Sequence, residues 1–194
     1  MVAAIPRRRD VPGRMRSMTS DPLQSEPLEI RIRHVRAVDA PSIAEIMNAR
    51  HVNLGTQRFP YHPDTSIASR IADDPAKFKL VAEMGGRIAG YGELETWPDR
   101  PRLRHGAEID MVATHPDFRG FGIGAALLGE MIDLADRWLQ VSRLQLFVWD
   151  GNARAIALYE RFGFVTEGRL RKFVFVDGQY RDAFIMARLL QDAR

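Results

Sequence analysis

Cysteine is absent from the 194-residue chain, which excludes a disulfide framework, a thiolate zinc site and a cysteine nucleophile. Lysine is scarce. It occurs at Lys77, Lys79 and Lys172 among 28 basic residues, so arginine carries nearly all the positive charge. Because arginine does not deprotonate in the working range, the pI reaches about 9.6 on a net charge of only +3. The arginines are scattered rather than gathered along one face, and no aromatics interleave with them as stacking platforms. Nucleic acid is therefore not an expected partner. No apolar run reaches the roughly 18 residues of a membrane span, so no membrane partner is expected and the location reads as cytoplasmic. The five histidines (His34, His51, His62, His105, His115) form no helical pair and no H-x-E pattern. They read as surface or turn residues, and no metal is expected.

With 45% hydrophobic residues, the chain has enough apolar material for one sizeable core, and its length leaves room for one domain. Residues 1–28 carry five arginines and four prolines without apolar periodicity and read as a disordered extension. Asp10, Asp21 and Glu26 argue against an organelle presequence there. Regular patterning begins at Glu29, and the domain is expected to span 29–190.

The patterning is mixed α/β. "EIRIRHVR" alternates as a half-buried strand does, with Ile30, Ile32 and His34 on one side. Asp39 can cap a helix over "APSIAEIMNAR", whose Ile43, Ile46 and Met47 share a face. A loop with Gly55, Pro60 and Pro63 leads to a second short helix near 64–73. "FKLVAEM" and "RIAGYGELETW" read as strands joined by a Gly85-Gly86 hairpin turn. After the turn "PDRPR", a strand through Glu108–Thr114 runs into "HPDFRGFGIG" and a long helix. Ala125, Leu128, Ile132, Ala135 and Leu139 follow helical spacing there. A strand, "RLQLFVW", precedes a helix, "NARAIALYERFG", closed by Gly163 in a left-handed cap. A last hairpin turns on Asp177-Gly178, and its edge offers a surface for a homodimer.

Strand, glycine-rich turn and helix N-terminus in that order make an anion site: the first amides lack intrahelical acceptors, and the helix dipole adds positive potential. A purely structural turn is the alternative. The Walker loop is excluded because no lysine and hydroxyl follow the glycines, and the spacing Gly120, Gly122, Gly124 does not fit a dinucleotide fingerprint.

The stretch resembles the acyl-CoA motif of the GNAT superfamily of N-acetyltransferases, [QR]-x-x-G-x-[GA], through Arg119, Gly122 and Gly124. A second signature, N-x-x-[AS]-x-x-x-Y-x-x-x-G-F, is matched by Asn152, Ala155, Tyr159, Gly163 and Phe164. The resemblance implies an α/β (α+β) fold whose mostly antiparallel, twisted sheet is splayed between strands 4 and 5 and flanked by helices. It implies acetyl-CoA as co-substrate, its pyrophosphate wrapped by the amides of Arg119, Gly120, Phe121, Gly122, Ile123, Gly124 and Ala125, with Arg119 adding a charge. Backbone amides of Val112, Ala113 and Thr114 would meet the thioester or pantetheine, beside Asn152 and Ala155.

Acetyl transfer to an amine needs a neutral nucleophile, a donor to the developing oxyanion and a proton for the leaving thiolate. The family motif points to Tyr159 for that proton. Glu108 matches a position where many relatives carry a catalytic glutamate; Asp110, two residues on, is the rival, and both would share one side of an ideal strand with Val112 and Thr114. Relatives commonly carry a bulge here, which would turn one carboxylate away from the other. The loop holding Arg58, Phe59 and Tyr61 covers the acceptor side in relatives, and these residues suit a carboxylate and an apolar side chain. "IRHVRAVD", "WLQVSRLQLFVW" and "DGQYRDAFIMAR" make the body similar to bacterial L-amino acid N-acetyltransferases that prefer hydrophobic substrates. Protein N-termini and amine antibiotics are the alternative acceptors, and a non-catalytic CoA-binding module is a further alternative.

Overall fold

The computed structural model describes residues 29–56, 59, 61 and 63–190; the N-terminal extension and Arg58 lie outside the described residues. Seven strands form one sheet in the order β1-β2-β3-β4-β5-β7-β6. They are β1 Ile30–His34, β2 Lys77–Met84, β3 Arg87–Thr96, β4 Gly106–Thr114, β5 Arg143–Trp149, β6 Val165–Val176 and β7 Gln179–Leu189. All neighbours run antiparallel except β4 and β5. The helices are α1 Ala40–Asn48, α2 Arg50–Gly55, α3 Asp64–Ile71, α4 Ile123–Arg137 and α5 Ala153–Arg161.

The two faces of the sheet carry separate cores. On one, Ile123, Leu127, Leu128, Met131, Ile132 and Ala135 of α4 pack on Leu94, Ala107, Ile109, Leu144 and Leu146. On the other, Ile43, Ile46 and Met47 of α1 join Ile67 of α3 against Val81, Tyr91, Met111 and Ala113. The buried stripe of α4 thus starts at Ile123 rather than at Ala125, which is half-buried at the helix start. Leu139 falls beyond the helix end. A Cβ on Gly90 would stand 2.4 Å from Ile123 Cγ2, so this glycine lets the first turn of α4 lie close on β3.

Local punctuation follows backbone sterics. Gly85 and Gly86 take φ of 58° and 76°, Asp177 and Gly178 take 50° and 77°, and Gly163 takes 85°, so the two hairpin turns and the helix cap fall where the sequence puts them. Three expectations need correction. The first predicted helix is broken at Ala49, whose extended backbone starts the separate α2, so part of the predicted loop is helical. Asp39 stands at the α1 N-terminus but makes no side-chain cap; it takes Arg33 at 2.7 and 2.8 Å and the Arg36 amide at 2.7 Å instead. His115 lies at a turn, as the N-cap of Pro116–Phe118, but is buried at 4% exposed rather than on the surface: its Nδ1 accepts from the Asp117 amide and its Nε2 donates to Glu45 at 3.1 Å.

Candidate active site

The parallel pairing of β4 and β5 spans three residues, Gly106↔Arg143, Ala107↔Leu144 and Glu108↔Gln145. Beyond Glu108 the strands part, so the β4 backbone from Ile109 to Thr114 has no paired neighbour on its β5 side. On β4 the register against β3 slips between Ile109 and Met111, which leaves Asp110 as the extra residue of a bulge. Alternation flips there: Ala107, Ile109 and Val112 pack on the α4 side, whereas Met111 and Ala113 join the α1 side. The ideal-strand expectation that Val112 and Thr114 follow Glu108 and Asp110 on one side fails for this reason.

The gap opens into a cavity of about 600 Å³ at the N-terminus of α4. Val112, Ala113 and Thr114 of β4 line one wall; Asn152, Ala155 and Tyr159 line another; Arg119, Gly120, Gly122, Ile123, Gly124 and Ala125 close the end. Gly122 is the N-cap, at φ 84° and with no side-chain cap, and the first helical bond runs from Ala126 N–H to Gly122 O. The amides of Gly120, Gly122, Ile123, Gly124 and Ala125 therefore have no backbone acceptor among the described residues. Those of Arg119 and Phe121 are taken by turn bonds of 3.4 Å to Pro116 O and Phe118 O, which removes them from the predicted cradle. The Phe121 side chain is 56% exposed, sits edge-on to Phe118 and does not line the cavity.

Arg119 is joined at this cavity by Arg154 and Arg161, and no carboxylate among the described residues lines it. Unpartnered amides, a helix dipole and three guanidinium groups without an acid fit a ligand that carries several phosphates. His51, half-buried, donates Nε2–H to Thr114 O at 2.9 Å; burial lowers its pKa and the bond to Thr114 opposes that. Asn152 caps α5 by accepting from Ala155 N–H at 3.3 Å. Burial pushes the Tyr159 phenol up to about 12, so it is a protonated donor across the neutral range.

Glu108 is not at this cavity. It lines a second one, of about 390 Å³, with Glu95, Trp97, Arg100, Gln145 and Phe147 among its neighbours. Gln145 Nε2–H donates to its Oε2 at 3.0 Å, across the last rung before the strands part. Burial raises its pKa, Gln145 opposes that, and the charges of Asp110 and Glu95 add to the rise. Asp110 faces elsewhere: its Oδ2 receives Arg70 Nη2 of α3 at 2.6 Å. The same Nη2 also holds Glu93, whose other oxygen accepts the Tyr91 hydroxyl. Glu93 is 1% exposed, and burial pushes it up to about 7 against the pull of Arg70. The bulge therefore separates the two candidate bases, one onto Gln145 and one onto Arg70.

Phe59 and Tyr61 are 82% and 91% exposed and border a third cavity, about 970 Å³, with Leu54 and with Phe173, Val174 and Phe175 of β6. They are not brought beside Tyr159 or Glu108. Thr56 lies on both this groove and the cavity at α4. Phe173 of the groove stacks on Phe147 of the Glu108 cavity, centroids 5.4 Å apart and planes at 16°. Sequence reasoning missed His51, Arg154, Arg161 and Arg100; the two α5 arginines could have been found from i, i+7 spacing, which lines them up along that helix.

Strands parted over a glycine-opened helix start, with a cavity lined by three arginines at that start, form a site suited to a phosphate-bearing ligand between β4 and β5. A family model for the Acetyltransferase (GNAT) family matches residues 41–164. The L-amino acid N-acetyltransferase AaaT of Escherichia coli (strain K12) is 35% identical over 161 residues, covering 83% of this chain and 98% of its own. The crystal structure of ribosomal-protein-alanine N-acetyltransferase from Brucella melitensis has a TM-score of 0.75 at 29% identity, covering 82% of this chain and 99% of its own. Spermidine N-acetyltransferase from Vibrio cholerae, in complex with CoA and spermine, has a TM-score of 0.73 at 25% identity, covering 82% and 95%. The chain belongs to the GNAT family and is an N-acetyltransferase using an acyl-CoA.

Proposed function

We propose that the protein moves an acetyl group from acetyl-CoA to the α-amino group of an L-amino acid with an apolar side chain, by direct attack in a ternary complex. The observation that carries the reading is the parting of β4 and β5 above Glu108, with Tyr159 on the donor cavity and Glu108 on its neighbour. Bound acetyl-CoA supplies a thioester acyl group and a thiol leaving group. The amides from Gly122 to Ala125 and the side chains of Arg119, Arg154 and Arg161 hold its phosphates. Glu108 takes the proton of the acceptor ammonium, directly or through water; burial raises its pKa and so makes it a stronger base than a free carboxylate. Tyr159 gives a proton to the departing sulfur, the proton shed by the newly acylated nitrogen restores the phenol, and β4 amides beyond Glu108 that have no partner on the β5 side meet the thioester oxygen.

The apolar side chain is supported by the aromatic surfaces that meet at the Phe147–Phe173 stack, and the L-amino acid by the relation to AaaT. A coupled assay decides it: purified protein, acetyl-CoA and pooled amino acids, with free thiol followed by a chromogenic disulfide. Release with phenylalanine, leucine or methionine is expected. Release with peptide N-termini and with no free amino acid would replace this reading by a protein-modifying one, and none with any amine would leave a CoA-binding module.

A further inference from the structure

The cavity beside Glu108 holds charges that the protein does not neutralise itself. Of its ionisable groups besides His105, Glu95 is paired with Lys77 Nζ at 3.0 Å. Arg143 is held by both oxygens of Glu167, at 3.0 and 2.5 Å. Glu108 accepts from an uncharged amide. Arg100 has no carboxylate partner among the described residues. One anion and one cation thus remain for a ligand, both on the wall of the same cavity.

Arg100 is exposed, but its side chain is anchored. Its guanidinium lies 5.7 Å over the Trp97 ring, and Trp97 is seated on β4: a Cβ on Gly106 would stand 2.7 Å from Trp97 Cζ3. The loop between β3 and β4 is a chain of turns, Arg100 N–H to Trp97 O, Leu103 N–H to Arg100 O and Gly106 N–H to Leu103 O, at 2.8–3.1 Å. Arg104 Nε–H closes it onto Pro98 O at 3.0 Å. Apolar Leu103 and Phe147 complete the wall.

We infer that this cavity is an α-amino acid subsite in which Arg100, steadied on Trp97, recognises the α-carboxylate of the acceptor while Glu108 faces its amine. The inference rests on the proposed activity and deepens it, since it moves carboxylate recognition from the loop at Arg58 to the β3–β4 turn. A guanidinium fork matches a carboxylate in two parallel bonds. A polyamine would bring a second ammonium to that fork, and a peptide N-terminus would offer it a neutral amide.

The test compares L-phenylalanine with L-phenylalaninamide on the wild type, Arg100→Gln and Arg100→Lys. Charge-assisted bonds to carboxylate are worth about 10- to 100-fold, so wild-type kcat/KM should favour the acid by that factor. Arg100→Gln should raise KM for the acid and bring the ratio near one, and Arg100→Lys should restore part of it. The acetyl-CoA dissociation constant by calorimetry, within about twofold of wild type for a residue outside the donor cavity, reports that the fold is kept. A wild type that prefers the acid but keeps that preference in Arg100→Gln overturns the role of Arg100 and leaves the proposed activity standing. Turnover of a peptide or polyamine with neither phenylalanine compound overturns both.

Discussion

Gly122→Ala separates what a glycine does for the fold from what it does for the ligand. Its φ of 84° is in the left-handed region, where a Cβ costs about 1–2 kcal/mol, yet an added Cβ meets nothing within 4 Å. The loss should therefore be conformational strain alone, near 1 kcal/mol, seen as a fall in Tm of about 2–4 °C for a chain of this length. The new methyl stands in the donor cavity, however, and CoA affinity should drop by about tenfold, roughly 1.4 kcal/mol. Gly129→Ala, farther along α4 and off the donor cavity, is the control. Its Cβ would sit at ordinary contact, 3.6 Å from Phe162 Cε1, on a helical backbone, where exchanging glycine for alanine stabilises by about 0.5–1 kcal/mol. Thermal melts and calorimetric titration with CoA read both quantities. If Gly122→Ala melts lower but binds CoA as tightly as wild type, the α4 start does not cradle the phosphates and the reasoning fails.

Three further outcomes are expected. Tyr159→Phe should lower kcat by about 100-fold with little change in CoA affinity, and an undiminished rate would remove the phenol as acid. Glu108→Gln should lower kcat by a similar factor and move the acid limb of the pH profile upward, toward the acceptor ammonium's own ionisation; an unmoved limb would send the base role elsewhere. Glu93, raised from 4.5 to about 7, stays protonated in the fold while the unfolded chain ionises. Stability from this group is thus full below about pH 4.5 and is lost as pH rises toward 7, by about 2–3 kcal/mol. Glu93→Gln should flatten that part of the curve in urea unfolding at pH 5, 6 and 7; parallel curves would contradict it.

Much of this molecule was legible before any coordinates. Turn glycines announce themselves because only they and a few asparagine or aspartate residues take positive φ cheaply, and Gly85, Gly163 and Gly178 do so where expected. The cavity at the α4 start was legible because its unpartnered amides come from one continuous stretch. What escaped was non-local. Every second residue from Ala107 to Ala113 is apolar, so the string does not say where an extra residue enters β4, and that choice sends Asp110 to Arg70 and leaves Glu108 with Gln145. Six-residue α2 buries only Val52 and Asn53, too little periodicity to separate it from a loop. Arg154 and Arg161 look like solvated helix charges until α5 is laid beside α4, and Arg100 looks like turn filler until Trp97 is seated on Gly106.

The donor cavity and the cavity beside Glu108 have no lining residue in common. With the proposed donor in one and the proposed acceptor in the other, neither covers the other's doorway, so either reactant should be able to arrive first, and spent thiol and modified amine to depart independently. Double-reciprocal plots for the two reactants should then converge rather than run parallel, and a dead-end mimic of one should leave the doorway of the other open.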